Sequence, residues 1–332
     1  MSNIAADRVL KIARLRELRL ESGAVLTQVP VAYHDDGPVG APVVVVLHGL
    51  TGSADAVGDW WRVVAGPGRP IDTRRVRVIA PNLLGSCYGS AGPTLDPRFP
   101  KVTTRDQAAA VTGLLNALDI SHVALATGVS LGAMVALELA VSQPTRVGYT
   151  TVIAAPAAHT AWAIGLNSVQ RAALDALGGG RAGLALARQI AMLSYRAEPG
   201  LEDRFGRTTE ANDEWRVAGW LAAHGDKLVA RFDPASYRTL LDAMDSHDIG
   251  RGRGGIAAAL ATLGGRVTGV AISTDVLYSP DVVRQWTDAA SGRFELLVSP
   301  HGHDGFLIDQ RGIGRLVAHD LARALGTQEV AA

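Results

Sequence analysis

The chain has a single cysteine, Cys87. No intramolecular disulfide framework can therefore form, nothing argues for an oxidising compartment, and Cys87 is expected as a small buried residue. A charge excess of either sign is also missing: Lys plus Arg and Asp plus Glu number 32 each. The molecule as a whole has no field that would gather nucleic acid or an anionic membrane surface, so any partner must be recognised locally. The first twenty residues scatter Asp7 and Glu17 among Arg8, Arg14, Arg16 and Arg19. They lack the apolar stretch and cleavage site of a secretory signal, and a cytoplasmic protein is expected. The nearest approach to a membrane span is residues 123–141, whose one charge is Glu138. Thr127, Gly128, Ser130 and Gly132 break that run, and a buried strand turning sharply into a buried helix explains it better than a transmembrane helix. No internal repeat and no dinucleotide-binding fingerprint is found.

What is present is ordinary globular composition, 48% hydrophobic and 19% charged over 332 residues, enough for a large core in one α/β domain carrying an insertion. Residues 29–33 alternate and end in Asp35, Asp36, Gly37 and Pro38, which predicts a strand and a turn; Pro30 fits only at a sheet edge. The β-branched run VVVVLHGL at 43–50 and VRVIA at 76–80 predict strands buried on both faces. A helix at 104–118 and a strand at 122–126 follow, and their alternation implies right-handed βαβ units in a parallel sheet. After a strand at 150–154 the alternation stops. Residues 156–260 look helical, interrupted at Gly178 to Gly180, Pro199 and Pro234, and predict a lid between two parts of a core, 1–155 and 261–332. GRGRGG at 250–255 follows no strand and is expected as a flexible junction rather than a phosphate cradle. Strand, helix and strand resume at 269–273, 282–290 and 294–298, with a last helix at 313–325.

The segment HVALATGVSLGAMVALELA sets G-x-S-x-G, Gly128 to Gly132, between a predicted strand and a predicted helix. A bend that pushes a serine hydroxyl out over a helix N-terminus leaves no room for neighbouring side chains, and the two glycines supply that room. Ser130 is the candidate nucleophile. A serine hydroxyl needs a general base oriented by a third group. Asp275, just past a predicted strand, and His303, just past the last one, are the candidates. His301 competes two residues earlier; His303 is favoured because Gly302 flanks it and Asp304 lies beside it. Asp281 is a weaker rival to Asp275, expected instead to cap the following helix. An oxyanion needs two backbone N–H donors, assigned to Leu131 after the serine and to Leu50 in the turn after VVVVL; the His48 side chain is expected to be structural. His301, His303 and Asp304 could mimic a metal cluster, but adjacent residues in one loop cannot all point at one ion, so no metal is expected.

With these residues in place, the chain resembles the homoserine O-acetyltransferase family of α/β-hydrolase-fold acyltransferases. HGLTGSAD followed by WW, PNLLGSCYGSAGP, FPKVTTRD, GLALARQIAMLSYR, RFDPASY, DSHDIGRGRGG and HGHDGFLID are similar to successive family motifs in family order, over about residues 24–320. The fold implied is a mostly parallel central sheet flanked by helices with an inserted helical lid. The activity implied is ping-pong transfer of an acyl group, acetyl above all, from acyl-CoA through Ser130 to the hydroxyl of homoserine or a similar amino acid. Methionine biosynthesis would be its setting. Acyl-CoA would be a substrate, with no resident cofactor. By the family pattern Arg188 and Tyr195 bind the acceptor's carboxylate and Asp304 its ammonium, with Thr51 nearby. Independently, Arg188 and Tyr195 are two helical turns apart and share a face, and a guanidinium fork suits a carboxylate. The stretch between Ala161 and Gly183 looks shortened relative to the family, and Gly219 and Trp220 stand where serine and tyrosine are usual. The family's dimer contacts lie in the lid, so a homodimer through it is implied too. A serine esterase or thioesterase with water as acceptor, and a non-catalytic binding protein, are the other classes weighed.

Overall fold

A computed structural model describes residues 8–176 and 180–326, so Gly178 and Gly179 of the expected interruption lie outside the described residues. The chain opens with β1 (Lys11–Arg19), β2 (Val25–Asp36) and β3 (Val43–Leu47). β4 (Ala65–Gly66) and β5 (Ile71–Asp72) form a small separate pair. β6 (Arg77–Pro81), α1 (Thr104–Ala117), β7 (Val123–Val129), α2 (Leu131–Ser142) and β8 (Val147–Ile153) follow. Six helices come next: α3 (Ala161–Ala176), α4 (Arg181–Tyr195), α5 (Glu198–Phe205), α6 (Arg216–Val229), α7 (Pro234–Asp245) and α8 (Ile256–Ala261). The chain then returns through β9 (Val267–Ile272), α9 (Pro280–Ala289), β10 (Arg293–Leu297), α10 (Gly305–Ile308) and α11 (Gln310–Ala324). The eight-stranded sheet has the order β1-β2-β6-β3-β7-β8-β9-β10. It is parallel from β6 to β10, while β2 runs antiparallel to both β1 and β6.

β3 shows why a continuous apolar run suits this position. Its side chains alternate: Val45 and Leu47 join the core under α1 and α2, while Val44 and Val46 face Trp61 and the α11 residues Ile313 and Val317. Both faces are buried, so polar alternation has no place there. α2 is buried along nearly its whole length. α1 starts with a capping box in which the Thr103 side chain accepts from the Asp106 N–H and the Asp106 carboxylate accepts from the Thr103 N–H, satisfying two orphan donors of the first turn.

Three expectations need correction. The first twenty residues hold the edge strand β1, and β2, which contains Pro30, lies second from that edge. Proline is tolerated there because β6 pairs only with Tyr33 to Asp36, leaving the Pro30 stretch of β2 with a single strand neighbour. Cys87 is only half buried, with its thiol pushed up by burial. GRGRGG is not a loose junction. Arg253 reaches back 115 residues to Glu138 on α2, which is 1% exposed, and Arg105 on α1 donates to the same carboxylate at 3.0 Å. Arg251 pairs with Glu21 at 2.8 Å. Between β8 and β9 no strand occurs among the described residues, and no described helix is long and apolar enough to cross a membrane.

Removing one partner of a buried ion pair strands the others' charge. Glu138→Ala is therefore expected to lower unfolding stability by about 3 kcal/mol, read as a fall in urea midpoint at unchanged m-value.

Candidate active site

Ser130 occupies the bend between β7 and α2 at φ 52° and ψ −121°, a conformation that L-residues rarely hold and that costs about 1–3 kcal/mol. The surrounding backbone fixes it: the Ser130 N–H donates to Ile153 O at 2.9 Å, and its carbonyl accepts from the N–H groups of Ala133 and Met134. The flanking glycines are sterically required. A Cβ on Gly128 would lie 2.4 Å from the Gly132 backbone, and one on Gly132 would lie 2.2 Å from Leu47 O.

Asp275 lies in the turn after β9 and is 4% exposed. Its Oδ1 accepts from the N–H groups of Leu277 at 2.8 Å and Tyr278 at 3.0 Å, and its Oδ2 lies 2.7 Å from His303 Nδ1. The opposite ring nitrogen, His303 Nε2, is 2.9 Å from Ser130 Oγ. With a carboxylate as its partner Nδ1 must donate, which leaves Nε2 to accept the Ser130 hydroxyl proton. Tyr195, Tyr278 and Phe306 pack around the imidazole, with ring centroids 5.3–5.6 Å away. The sequence-predicted Ser130, Asp275 and His303 are thus in one hydrogen-bonded line. Gly302 turns the chain at φ 64°, where a Cβ would meet Ala197 N at 2.7 Å. That turn sends His301 into a different cavity, beside Arg196, Gly200 and Trp220. Asp281 is exposed on the first turn of α9; Ser279 occupies the N-cap position, so Asp281 is not the cap.

Ser130 and His303 open into a cavity of about 530 Å³ that is also lined by Leu50, Thr51, Arg188, Tyr195 and Asp304. Leu131 is the first residue of α2, so its N–H has no acceptor within the helix. The loop carrying Leu50 is pinned by His48, whose buried ring donates from Nδ1 to Gly49 O at 2.7 Å and accepts the Leu83 N–H at 3.0 Å through Nε2. Burial pushes His48 down to about 4, so it remains neutral and structural, as expected. Asn82 braces the far end of the same loop by accepting the Ala54 N–H at 2.6 Å.

The charged groups in the cavity are unequal. The Arg188 guanidinium lies 5.4 Å from the Tyr195 ring centroid and has no hydrogen bond or ion pair among the described residues. Burial raises the Tyr195 hydroxyl to about 12, so it stays protonated and able to donate. Asp304 is 7% exposed, and its Oδ2 lies 3.1 Å from Arg196 Nε, which is not aligned for a hydrogen bond. Burial raises the Asp304 carboxyl, against the pull of Arg196 and Arg188. Sequence reasoning missed Arg231, which follows α6 and donates to Thr51 O at 2.6 Å. It opens the RFDPASY motif, but nothing in that motif shows that its arginine reaches the loop carrying Leu50. No group of three His, Cys, Asp or Glu side chains that could hold a metal ion occurs among the described residues.

The family model described as alpha/beta hydrolase fold matches residues 42–310. A homoserine O-acetyltransferase of Clavibacter michiganensis is 40% identical over an alignment of 359 positions, gaps included, covering 94% of this chain and 92% of the relative. The crystal structure of homoserine O-acetyltransferase from Staphylococcus aureus superimposes with a TM-score of 0.85 at 30% identity, covering 98% of this chain and 97% of that one. The chain belongs to the homoserine O-acetyltransferase family, on the α/β-hydrolase fold. The likeness to an acetylester hydrolase from Corynebacterium glutamicum, TM-score 0.83 at 19% identity over 94% of this chain and 96% of that one, is one of fold alone. In this homoserine O-acetyltransferase family member the glycines around the serine are needed for a steric reason. Gly132→Ala is expected to cost about 3 kcal/mol or abolish soluble expression, because its Cβ would strike backbone; Ser130→Ala, which adds no atom, is expected to melt close to the parent in differential scanning calorimetry.

Proposed function

We propose that this protein is an O-acyltransferase that moves an acyl group, acetyl, from acyl-CoA through a Ser130 ester to the side-chain hydroxyl of L-homoserine or a similar hydroxy amino acid. The observation that carries this reading is Arg188, a guanidinium without an acid partner facing the same cavity as Ser130. A water-using esterase has no need of it, whereas an acceptor that brings its own carboxylate does. The names of the relatives supply acetyl and homoserine.

In the first half-reaction Ser130 Oγ attacks the thioester carbonyl while His303 Nε2 takes its proton and Asp275 stabilises the imidazolium. The oxyanion is placed against the N–H groups of Leu50 and Leu131. The C–S bond breaks, His303 protonates the leaving sulfur, and CoA departs as a product rather than as a bound cofactor. In the second half-reaction His303 removes the proton from the acceptor hydroxyl, whose oxygen attacks the ester; Ser130 Oγ leaves and recovers that proton. The acceptor's carboxylate is assigned to Arg188 and the Tyr195 hydroxyl, and its ammonium to Asp304, shared with Arg196 and with Thr51 nearby. Residues 156–260 are read as the lid that shapes this acceptor site. A homodimer through the lid is part of the proposal, supported by the exposed side chains of Trp162, Val169 and Leu193; sedimentation at the mass of a monomer would end that part.

Thiol release from acetyl-CoA is the test. Release at the full rate only with homoserine present supports transfer, and equal release without it means hydrolysis. Arg188→Leu is expected to raise the KM for homoserine roughly 10- to 100-fold, the worth of one or two charge-assisted hydrogen bonds. The ammonium needs Asp304 ionised. Because burial raises its pKa, the carboxylate is lost at a higher pH than for an ordinary aspartate. The KM for homoserine is accordingly expected to rise on acidification, beginning at a higher pH than an ordinary aspartate would give, and a KM that falls on acidification would contradict the assignment.

A further inference from the structure

Asp275 has a second set of partners that the reaction as written does not use. Tyr278, fully buried, gives its backbone N–H to Asp275 Oδ1 at 3.0 Å and sets its ring edge-on to His303, with centroids 5.4 Å apart and planes at 71°. One residue thus touches both the base and the carboxylate that orients it, through its ring and its backbone N–H. Its hydroxyl lies 2.9 Å from His159 Nε2, its one hydrogen-bond partner among the described residues. His159 is held by its own backbone, whose N–H donates to His247 O at 2.8 Å, and its Nδ1 lies 3.1 Å from Asp245 Oδ1. Asp245, the last residue of α7, takes Asn167 Nδ2 at 2.7 Å and Arg171 at 2.6 Å, both from α3.

We propose that Tyr278, His159 and Asp245 are positioning residues that hold the Asp275–His303 pair in its working geometry and tie it to helices α3 and α7. This inference rests on the reading of Ser130, Asp275 and His303 as the reacting set. The charge on Asp245 biases the proton directions along the line. Burial raises the Tyr278 phenol well above its ordinary value, so it keeps its proton and donates it to His159 Nε2 when the His159 proton sits on Nδ1. The Asp245 carboxylate, 3.1 Å from His159 Nδ1 though not aligned for a hydrogen bond, favours the proton on that nitrogen. Burial alone would raise Asp245, but the neighbouring His159 ring, the Asn167 hydrogen bond and the Arg171 guanidinium hold it low, so it stands as a carboxylate at the end of the line. The action is mechanical. No proton passes from Tyr278 to His303, because the phenol oxygen is committed to His159 while the ring edge faces the imidazole. The tether fixes one end of the turn whose other end is Asp275, and lost tethering lets the carboxylate drift from His303 Nδ1.

The experiment combines steady-state thiol release with proton NMR of the downfield resonance expected from His303 Nδ1–H, identified by its loss in His303→Gln. Tyr278→Phe keeps the ring and removes one hydroxyl. It is expected to leave the KM for both substrates nearly unchanged, lower kcat roughly five- to tenfold, and move or broaden the resonance. His159→Leu should do the same. His159→Gln, whose side-chain carbonyl can accept the phenol proton in place of Nε2, should recover most of the loss. The Tyr278→Phe, His159→Leu double variant should be no slower than either single one, since both cut the same line. A folded Tyr278→Phe protein with parental kcat and an unmoved resonance overturns the proposal, as does equal behaviour of His159→Leu and His159→Gln. If Tyr278→Phe does not fold, the His159 pair decides. The resonance needs no substrate, so it still reads the tether if the acyl-transfer assignment fails.

Discussion

The bend at Ser130 holds because its two glycine neighbours have no side chains. α2 packs so closely on the ends of β3 and β7 that one added carbon at Gly132 would overlap the Leu47 carbonyl. That crowding forces the serine to a positive φ, and the positive φ aims its hydroxyl away from the helix into the cavity. Strain of this kind persists only where the surroundings over-determine it. Here the sheet register, the buried α2 and the hydrogen bond from the Ser130 N–H to Ile153 supply that determination. Asp275 and His303 then arrive from loops after β9 and β10, two strands whose parallel pairing brings both loops to the same edge.

Around this line the cavity holds a cation without an ion pair among the described residues and a buried carboxylate beside Arg196. Arg188 has no acid of its own, while Asp304 is shared between Arg196 and the open space. The proposed zwitterionic acceptor would answer both groups, a neutral ester neither. The helical segment that supplies Arg188 and Tyr195 also reaches the loop carrying Leu50 through Arg231 and the loop carrying Asp275 through His159. The residues proposed to select the acceptor and those proposed to perform the chemistry therefore share mechanical supports.

Much of this was legible in the residues. β3, β7 and α2 declared themselves because burial on both faces demands unbroken apolar runs, and G-x-S-x-G means something only between such runs. β1 did not, because it is an edge strand that buries little beyond Leu15 and Leu18 and carries charges elsewhere. The role of GRGRGG was misread because its partner, Glu138, lies 115 residues away, and no local pattern encodes a contact across that span. His303 and His301 differ by a turn at Gly302 whose φ no sequence period reveals. The contacts of Arg231, although it opens the quoted RFDPASY motif, and of His159 were hidden for the same reason: they join elements, and joining is a property of the folded state.

The central claim is that Ser130 carries the acyl group. Intact-protein mass spectrometry after brief mixing with acetyl-CoA, without acceptor, tests it directly, with peptide mapping to place the modification. The account predicts one added acetyl on the Ser130 peptide, absent in Ser130→Ala and removed on adding homoserine. An enzyme that turns over acetyl-CoA and homoserine with no acetyl ever found on Ser130, or with Ser130→Ala as active as the parent, would contradict it.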